Sequence, residues 1–454
     1  MTYDLIVIGA GAGGTHAAFK GVEHGLKTML IESGFVGGTC INSGCIPTKL
    51  LLGGTASEHL FATQKKFRCA EGEISFSLPA LQERKDRYLK ALRGALEKRL
   101  TDSGVELVHG RASFSGKNSL AVKTKEGMRA VQFKHCIIAT GSAPATFPGL
   151  VPDGANVLSS TGALNLKEVP GSLIIVGGGV IGLELGDFYK RLGAKITVVE
   201  VMPRIALSED AEVSAALTKQ LTREGWKIHT GRKVTETKST EGGAVLRFED
   251  GEELNADKIM IAVGRRPGAK QLQPQEAGIE TAGPGWIVVD ENLLAAENIY
   301  AIGDCNRRVL LAHAAEHQAE YAVRRIAGKA EGPYDDFPMP SCIYGSNEIM
   351  HVGKHAEDLV KEFKPQGKAV AVSYCQLVSN PIAQSYGTNQ GWVKITWVDD
   401  RIYSVAAWGH GVSHMLPVAT VMVKQHWKSD EIIFAHPTLE EALKSAVLGR
   451  KELL

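Results

Sequence analysis

The stretch YDLIVIGAGAGGTHAAFKGVEHGLKTMLIES, residues 3–33, decides the fold. LIVI reads as a buried strand, GAGAGG as a turn, the residues after it as a helix, and TMLIE as a second strand ending in Glu32. That is one βαβ unit. Gly9-x-Gly11-x-x-Gly14 follows the strand and opens the helix, so backbone N–H groups and the positive helix end can hold a pyrophosphate. Glu32, about 20 residues on, suits a ribose hydroxyl. A turn used only for packing is the alternative; strand, helix and terminal acid together favour the dinucleotide reading. GSLIIVGGGVIGLELGDFYKRLGAKITVVEV, residues 171–201, repeats the device with Gly177, Gly179, Gly182 and Glu200. Two doubly wound domains, each for one nucleotide, are therefore expected. An acid at the end of the second strand accepts from a ribose 2′-OH and repels a 2′-phosphate, so Glu200 favours NAD over NADP. Arg204, four residues later, pulls the other way.

Outward from these units, residues 78–100 have helical spacing, and HCIIATGSAPATFPG (135–149) reads as a short strand running into a Gly/Pro turn. KIMIAVGRRPG (258–268) is another strand and turn. ENIYAIGDCNRRVLLAHAAEHQAEYAVRRIAG (297–328) is a strand, a turn with Asp304 and a long helix. From about Pro338 no dinucleotide turn recurs, and the alternation in GWVKITWVDDRIYSVAAWG (391–409) predicts an antiparallel sheet with helices. A chain of 454 residues suggests several modules. Its 44% hydrophobic and 22% charged residues are ordinary for a globular protein. The net charge of +1, without long Lys/Arg runs, gives no reason to expect nucleic acid or an anionic membrane as partner. No apolar segment reaches the ~20 residues of a membrane span, and no basic leader with a cleavage site opens the chain. Seven cysteines, an odd number and mostly scattered, argue against a secreted disulfide framework, so a cytoplasmic location is expected.

Two cysteines stand close together in GGTCINSGCIPTK, residues 37–49. An ideal helix separates residues i and i+5 by about 7.5 Å of rise, beyond the usual Cα spacing of a disulfide, so a Cys40–Cys45 bond needs distorted backbone. Gly44 supplies latitude, and Pro47 suits the first turn of a helix continued by Leu50, Leu51 and Leu52. The pair is thus expected at a helix N-terminus, which stabilises thiolate. A staple would close a trivially short loop, and zinc would need two further ligands from a Cys/His cluster that the sequence lacks. A redox role is favoured over both. Cys69, Cys136, Cys305, Cys342 and Cys375 are expected to be ordinary buried thiols. His351/His355 and His410/His414 have i,i+4 spacing but no acidic or cysteine ligands nearby, and no metal site is expected.

GAGAGG with Glu32, GGTCINSGCIPTK, ATGSAP, GGGVIGLE with Glu200, AVGRRP, YAIGDC, LAHAAEHQ and AHPTLEEA follow one another along essentially the whole chain. In this order they resemble the dihydrolipoamide dehydrogenases, within the pyridine nucleotide-disulfide oxidoreductase family. The resemblance implies an α/β fold of two Rossmann-like dinucleotide-binding domains, for FAD and NAD, plus a C-terminal α+β dimerisation domain. The FAD-binding domain is expected over 1–145 with a return segment over 265–337, the NAD-binding domain over 146–264, and the dimerisation domain over 338–454. By resemblance Cys40 is the exposed interchange thiol and Cys45 the thiolate that contacts the flavin. Electrons would pass from dihydrolipoamide to the Cys40–Cys45 disulfide, to FAD, and as hydride to NAD. Lys49 and Glu184 match an ion pair beside the flavin; two ordinary surface charges are the alternative. His436 resembles the base that deprotonates the dithiol, with Glu441 orienting it, reaching the disulfide across a homodimer interface. FAD contacts are implied for Gly9, Gly11, Gly14, Glu32, Thr39, Lys49, Thr140, Gly141, Asp304 and Ala312, and NAD contacts for Gly177, Gly179, Gly182, Glu200 and Gly264. The implied partner is a lipoylated carrier protein or domain.

Two stretches depart from the family pattern. IYGSNEIMHVG (343–353) stands where Tyr-Thr-x-Pro-Glu is common, and WGHGVSHML (408–416) where Gly-Pro-Gly-Ala-Gly-Glu is common, with His414 replacing a Glu. A diverged paralogue serving a particular lipoyl carrier is expected. Another NAD(P)H-dependent disulfide reductase of the family, or a flavoprotein binding subunit of a larger complex, are the competing readings; Glu200 disfavours the NADP-dependent reductases, and both cysteines with His436 disfavour the binding subunit.

Overall fold

In a computed structural model, residues 2–428 and 433–454 are described. They form two compact units: 1–48 with 83–145 and 264–336, and 49–82 with 146–263 and 337–454.

In the first unit, parallel strands lie in the order Glu106–Gly116, Thr28–Glu32, Thr2–Ile8, Met128–Ile138 and Ile299–Ala301. Leu5, Ile6, Val7, Leu30 and Ile137 are wholly buried, as strands covered on both faces require. This is a Rossmann-like sheet. The strand expected to be short, ending in HCII, spans 11 residues, Met128–Ile138. Its first half pairs antiparallel with Ser119–Thr124 before its second half joins Thr2–Ile8 in parallel. The helices Ala12–Glu23 and Ala312–Ile326 pack so closely that a Cβ on Gly13 would lie 3.0 Å from the Ala315 carbonyl oxygen.

The second unit repeats the parallel architecture, in the order Lys227–Thr230, Lys195–Glu200, Ser172–Val176, Lys258–Ile261 and Val157–Ser159. Its C-terminal part is a six-stranded antiparallel sheet with helices, running Ser341–Ile343, Glu348–Gly353, Arg401–Gly409, Gly391–Val398, Val370–Gln376 and Glu452–Leu453. The DD of GWVKITWVDDRIYSVAAWG makes the central hairpin turn, with φ of 47° at Asp399 and 62° at Asp400. Two successive left-handed residues match the right-handed twist of the flanking strands. One apolar core joins Leu51, Leu52, Phe188 and Tyr189 to Ile343, Ile349 and Trp408. Among the described residues no helix is long and apolar enough to cross a membrane.

Candidate functional site

Both glycine turns are built from the same contacts. Gly9 has a φ of +100°, and a Cβ there would sit 2.5 Å from the Ala139 carbonyl oxygen; one on Gly14 would sit 1.8 Å from that of Gly9. At the second turn Gly177 has a φ of +110°, with Ala262 O at 2.3 Å, and Gly182 meets Gly177 O at 2.3 Å. These four glycines let helix and strand close on one another. Gly11 and Gly179 do something else. Each caps its helix without a side-chain hydrogen bond, so the N-cap residue itself offers the first-turn N–H groups no side-chain acceptor. A Cβ on Gly179 would meet nothing within 4 Å, and on Gly11 nothing nearer than 3.9 Å. Open space before an uncapped, positive helix end fits a pyrophosphate.

The acids repeat as well. Glu32 accepts the Ala10 N–H at 2.7 Å on one oxygen and the Gly34 N–H at 2.6 Å on the other. Glu200 accepts the Gly178 N–H at 2.8 Å and the Met202 N–H at 2.8 Å in the same pattern. Gly141 and Gly264, with φ of +62° and +114°, stand two residues past the carbonyls that abut the turns, each with open space beside it. Arg204 spends its guanidinium on its own loop, donating to Glu209 O at 2.8 Å and Leu207 O at 3.1 Å.

The cysteine segment is fastened to the first turn. Gly37 N–H donates to Ala10 O at 2.7 Å, and a Cβ on Gly38 would lie 2.7 Å from the Gly11 Cα. Cys40 lies inside the short helix Gly38–Ser43, and Cys45 is the first residue of the helix Cys45–Gly54. The expectation of one helix start carrying both cysteines is corrected: the backbone breaks at Gly44, so Cys40 is the third residue of one short helix and Cys45 the first residue of the next. A Cβ on Gly44 would come within 2.9 Å of Thr39 O, so the break needs glycine. The interchange thiol Cys40 is expected to be the exposed member of the pair, and this is corrected: Cys40, inside the helix Gly38–Ser43 that is seated on the first glycine turn, is half-buried, and Cys45 is exposed. The buried-thiol expectation also fails for Cys69, which is exposed, and holds only in part for Cys342, which is half-buried; Cys136, Cys305 and Cys375 are buried. Burial pushes the Cys305 thiol up to about 12.

Thr39 and Asp304 are joined by two residues that the motif reading passed over. Arg265 donates from Nε to Ser142 Oγ at 2.6 Å and from Nη2 to Ser142 O at 2.8 Å and Thr39 Oγ1 at 3.4 Å. Ser142 Oγ in turn bonds the Asp304 carboxylate, which lies 3.5 Å from Arg265 Nε. Both residues stand inside the quoted ATGSAP and AVGRRP. The signal was their motif membership; their mutual contact comes from strand pairing of Ser142–Pro144 with Arg265–Pro267. Ala312 is the first residue of the helix Ala312–Ile326, which has no side-chain cap. Thr140 lies between Ala139 and Gly141 at the mouth of the sheet.

In the second unit Lys49 Nζ lies 2.6 and 2.8 Å from the two carboxylate oxygens of Glu184, which also accepts the Tyr344 N–H at 3.1 Å. The alternative of two solvated charges does not hold, since the Glu184 side chain is only 4% exposed. Burial raises its pKa above the usual carboxylate range, against the pull of Lys49 and Tyr344. The Tyr344 ring completes the setting, with the Lys49 ammonium 4.8 Å from its centroid. His436 is exposed, and its Nδ1 lies 3.1 and 3.2 Å from the Glu441 carboxylate oxygens. The Thr438 N–H, at 3.0 Å, holds the Glu441 carboxyl below its ordinary pKa, with His436 adding to the effect.

The two divergent stretches meet each other. His410 Nδ1 bonds Ser346 O at 3.2 Å, and Ser413 N–H donates to the Glu348 carboxylate at 2.9 Å. His410 pairs with His59 rather than His414, ring centroids 5.5 Å apart, and burial lowers the His59 pKa to about 4. His351 and His355 stack at 4.3 Å. Among the described residues no group of three or more metal-ligating side chains forms.

The sequence pattern described as pyridine nucleotide-disulphide oxidoreductase matches residues 3–319, and the dimerisation domain of the same family matches residues 339–447. Dihydrolipoyl dehydrogenase of Chlorobaculum tepidum is 36% identical over 98% of this chain and 96% of its own length. Mitochondrial dihydrolipoyl dehydrogenase 1 of Arabidopsis thaliana is 35% identical over 98% of this chain and 90% of its own. Among solved structures, a Cu(II) complex of the HOCl-induced flavoprotein disulfide reductase RclA of Escherichia coli superposes with a TM-score of 0.88, at 26% identity over 99% of both chains. LpdA of Mycobacterium tuberculosis superposes with a TM-score of 0.90 over 98% of this chain and 99% of its own, at 22% identity, a likeness of fold.

Proposed function

This chain belongs to the pyridine nucleotide-disulfide oxidoreductase family, and from that premise we propose that it oxidises protein-bound dihydrolipoamide to lipoamide and reduces NAD⁺ to NADH. It is a flavoprotein disulfide oxidoreductase with the dimerisation domain of its family. The observation that carries the substrate chemistry is the seating of the Cys40–Cys45 segment on the first glycine turn, through Gly37 N–H to Ala10 O at 2.7 Å and the contact of Gly38 with Gly11. A reducible cysteine pair held against a dinucleotide site can pass electrons to it.

One lipoyl thiolate attacks Cys40 of the Cys40–Cys45 disulfide, and Cys45 leaves as thiolate. The second lipoyl thiol, deprotonated, then attacks its neighbour in the mixed disulfide, forming lipoamide and releasing the Cys40 thiolate. His436 takes the proton. Its Nδ1–H is spent on Glu441, so Nε2 keeps its lone pair as base, and the depressed Glu441 pKa keeps the orienting carboxylate ionised. In a homodimer this base would come from the second copy of the chain. FAD, held by the first glycine turn with Glu32, Thr39, Thr140, Gly141, Asp304 and Ala312, would accept the electron pair from the cysteines and supply it as hydride to NAD⁺. NAD is favoured over NADP because Glu200 keeps a carboxylate where a 2′-phosphate would sit, and Arg204 is committed to backbone carbonyls.

Anaerobic titration with dihydrolipoamide, followed by NAD⁺ or NADP⁺, tests this reading. A long-wavelength thiolate band followed by NADH formation is expected. FAD-containing protein that gives neither would overturn it. The meeting of the divergent stretches at Ser346 and His410 supports a specialised lipoyl carrier, and equal turnover of every carrier tested would remove that part.

A further inference from the structure

The loop that follows Glu200, residues 201–210, is tied to the second glycine turn by its own backbone. Ala206 N–H donates to Gly178 O at 2.8 Å, and a Cβ on Gly178 would run into the Ile205 side chain at 2.7 Å. Gly178 is also the residue whose N–H engages Glu200. The position of this loop and the geometry of the ribose-facing acid are therefore one structure.

The loop is held at its far end from the C-terminal sheet. Lys394, on the strand Gly391–Val398 and 2% exposed, places its ammonium 2.5 Å from Asp210 and 3.2 Å from Glu212. Asp210 is the N-cap of the helix Ala211–Arg223, its other oxygen accepting the Glu212 N–H at 3.0 Å. Tyr374 O–H donates to the Glu212 carboxylate at 3.0 Å. On the other side of the loop, His355 Nε2 lies 2.9 Å from the Ser208 carbonyl; because a carbonyl only accepts, Nε2 carries the proton. His351 stacks on His355 and fixes its plane.

We propose that Lys394 and His355 are positioning residues for dinucleotide binding, bracing the 201–210 loop so that Glu200 and the Gly178 N–H stay set for the adenosine ribose. A buried lysine that reaches out of a sheet to neutralise a helix-capping aspartate is a costly arrangement, and it is placed where one loop governs the cofactor face. Both residues would act through the loop, by their contacts with Ser208, Asp210 and Glu212. The inference rests on reading the second glycine turn as the NAD site.

The experiment uses the purified holoenzyme in wild-type, Lys394→Met, Lys394→Arg and His355→Ala forms. NADH dissociation constants are measured by fluorescence titration, and KM is measured separately for NAD⁺ and dihydrolipoamide. Lys394→Met is expected to weaken NADH binding and raise KM for NAD⁺ by roughly tenfold, with kcat and the dihydrolipoamide KM within about twofold of wild type. Lys394→Arg should restore most of the loss. His355→Ala should weaken NADH binding by about threefold, and it decides the matter if Lys394→Met does not fold. Folded variants that bind NADH like wild type, or whose two KM values shift together, would overturn the brace. A wild type that binds NADH without turning over dihydrolipoamide would overturn the substrate reading alone, and the variants' dissociation constants would still decide this one.

Discussion

His436 derives its proposed chemistry from a single carboxylate five residues away, and the pair was legible in AHPTLEEA only through resemblance, because nothing in the spacing alone forces the ring onto Glu441. His436→Gln should lower kcat for dihydrolipoamide oxidation by about 10²–10⁴-fold, read in steady-state assays, with the FAD spectrum unchanged. Lys49 and Glu184 present the same lesson in a buried setting. Their residue types were visible, but 135 positions separate them, and it is helix packing that brings them together. Lys49→Met should destabilise the protein by at most about 3 kcal/mol in denaturant unfolding, because it leaves a buried carboxylate without its cation while Lys49 itself keeps solvent access. Ser142 and Arg265 were the least legible residues of the site. Each lies in a motif, yet a hydrogen bond between residues 123 positions apart has no signature in either one.

The strand–turn–helix elements could be read from the sequence because their signals are local: an apolar run, three glycines at fixed offsets and an acid at the next strand end. The structure divides those glycines into two kinds. Gly182→Ala would press a methyl group against Gly177 O at 2.3 Å and should cost on the order of 3 kcal/mol in thermal or chemical unfolding. Gly179→Ala, facing open space at an ordinary φ of −86°, should leave stability within about 0.5 kcal/mol while weakening NADH binding at the helix end. The break at Gly44 was half legible. A glycine between the cysteines announced irregular backbone, but the clash with Thr39 O that makes it obligatory appears only once the turn is folded. The strand ending in HCII is longer than its apolar run suggests because its first half alternates polar and apolar residues, and only its second half is a buried parallel strand.

Across the molecule, one buried histidine, His351, and one half-buried histidine, His59, tie stability to pH. Burial lowers the His351 pKa to about 3 and that of His59 to about 4, whereas unfolded histidine titrates near 6.5. Both folded values lie below the unfolded one, so the stability is present above about pH 6.5 and is lost on acidification, at about 1.4 kcal/mol per pH unit for each group while only the unfolded chain is protonated. Glu184 and Glu209, whose pKa values burial raises, act in the opposite sense. The contribution is therefore isolated by difference: His351→Asn should lose less stability than wild type between pH 6.5 and 4 in urea unfolding. The acid brace repeated at Glu32 and Glu200 bears on coenzyme redesign. Each carboxylate accepts two backbone N–H groups, one from its glycine turn and one from the residue two positions beyond it. Converting the second site to NADP by exchanging Glu200 for a cation would thus remove two amide acceptors together with the charge. A successful exchange has to supply a new oxygen for the Gly178 and Met202 amides, and the untouched Glu32 turn offers the reference within the same chain.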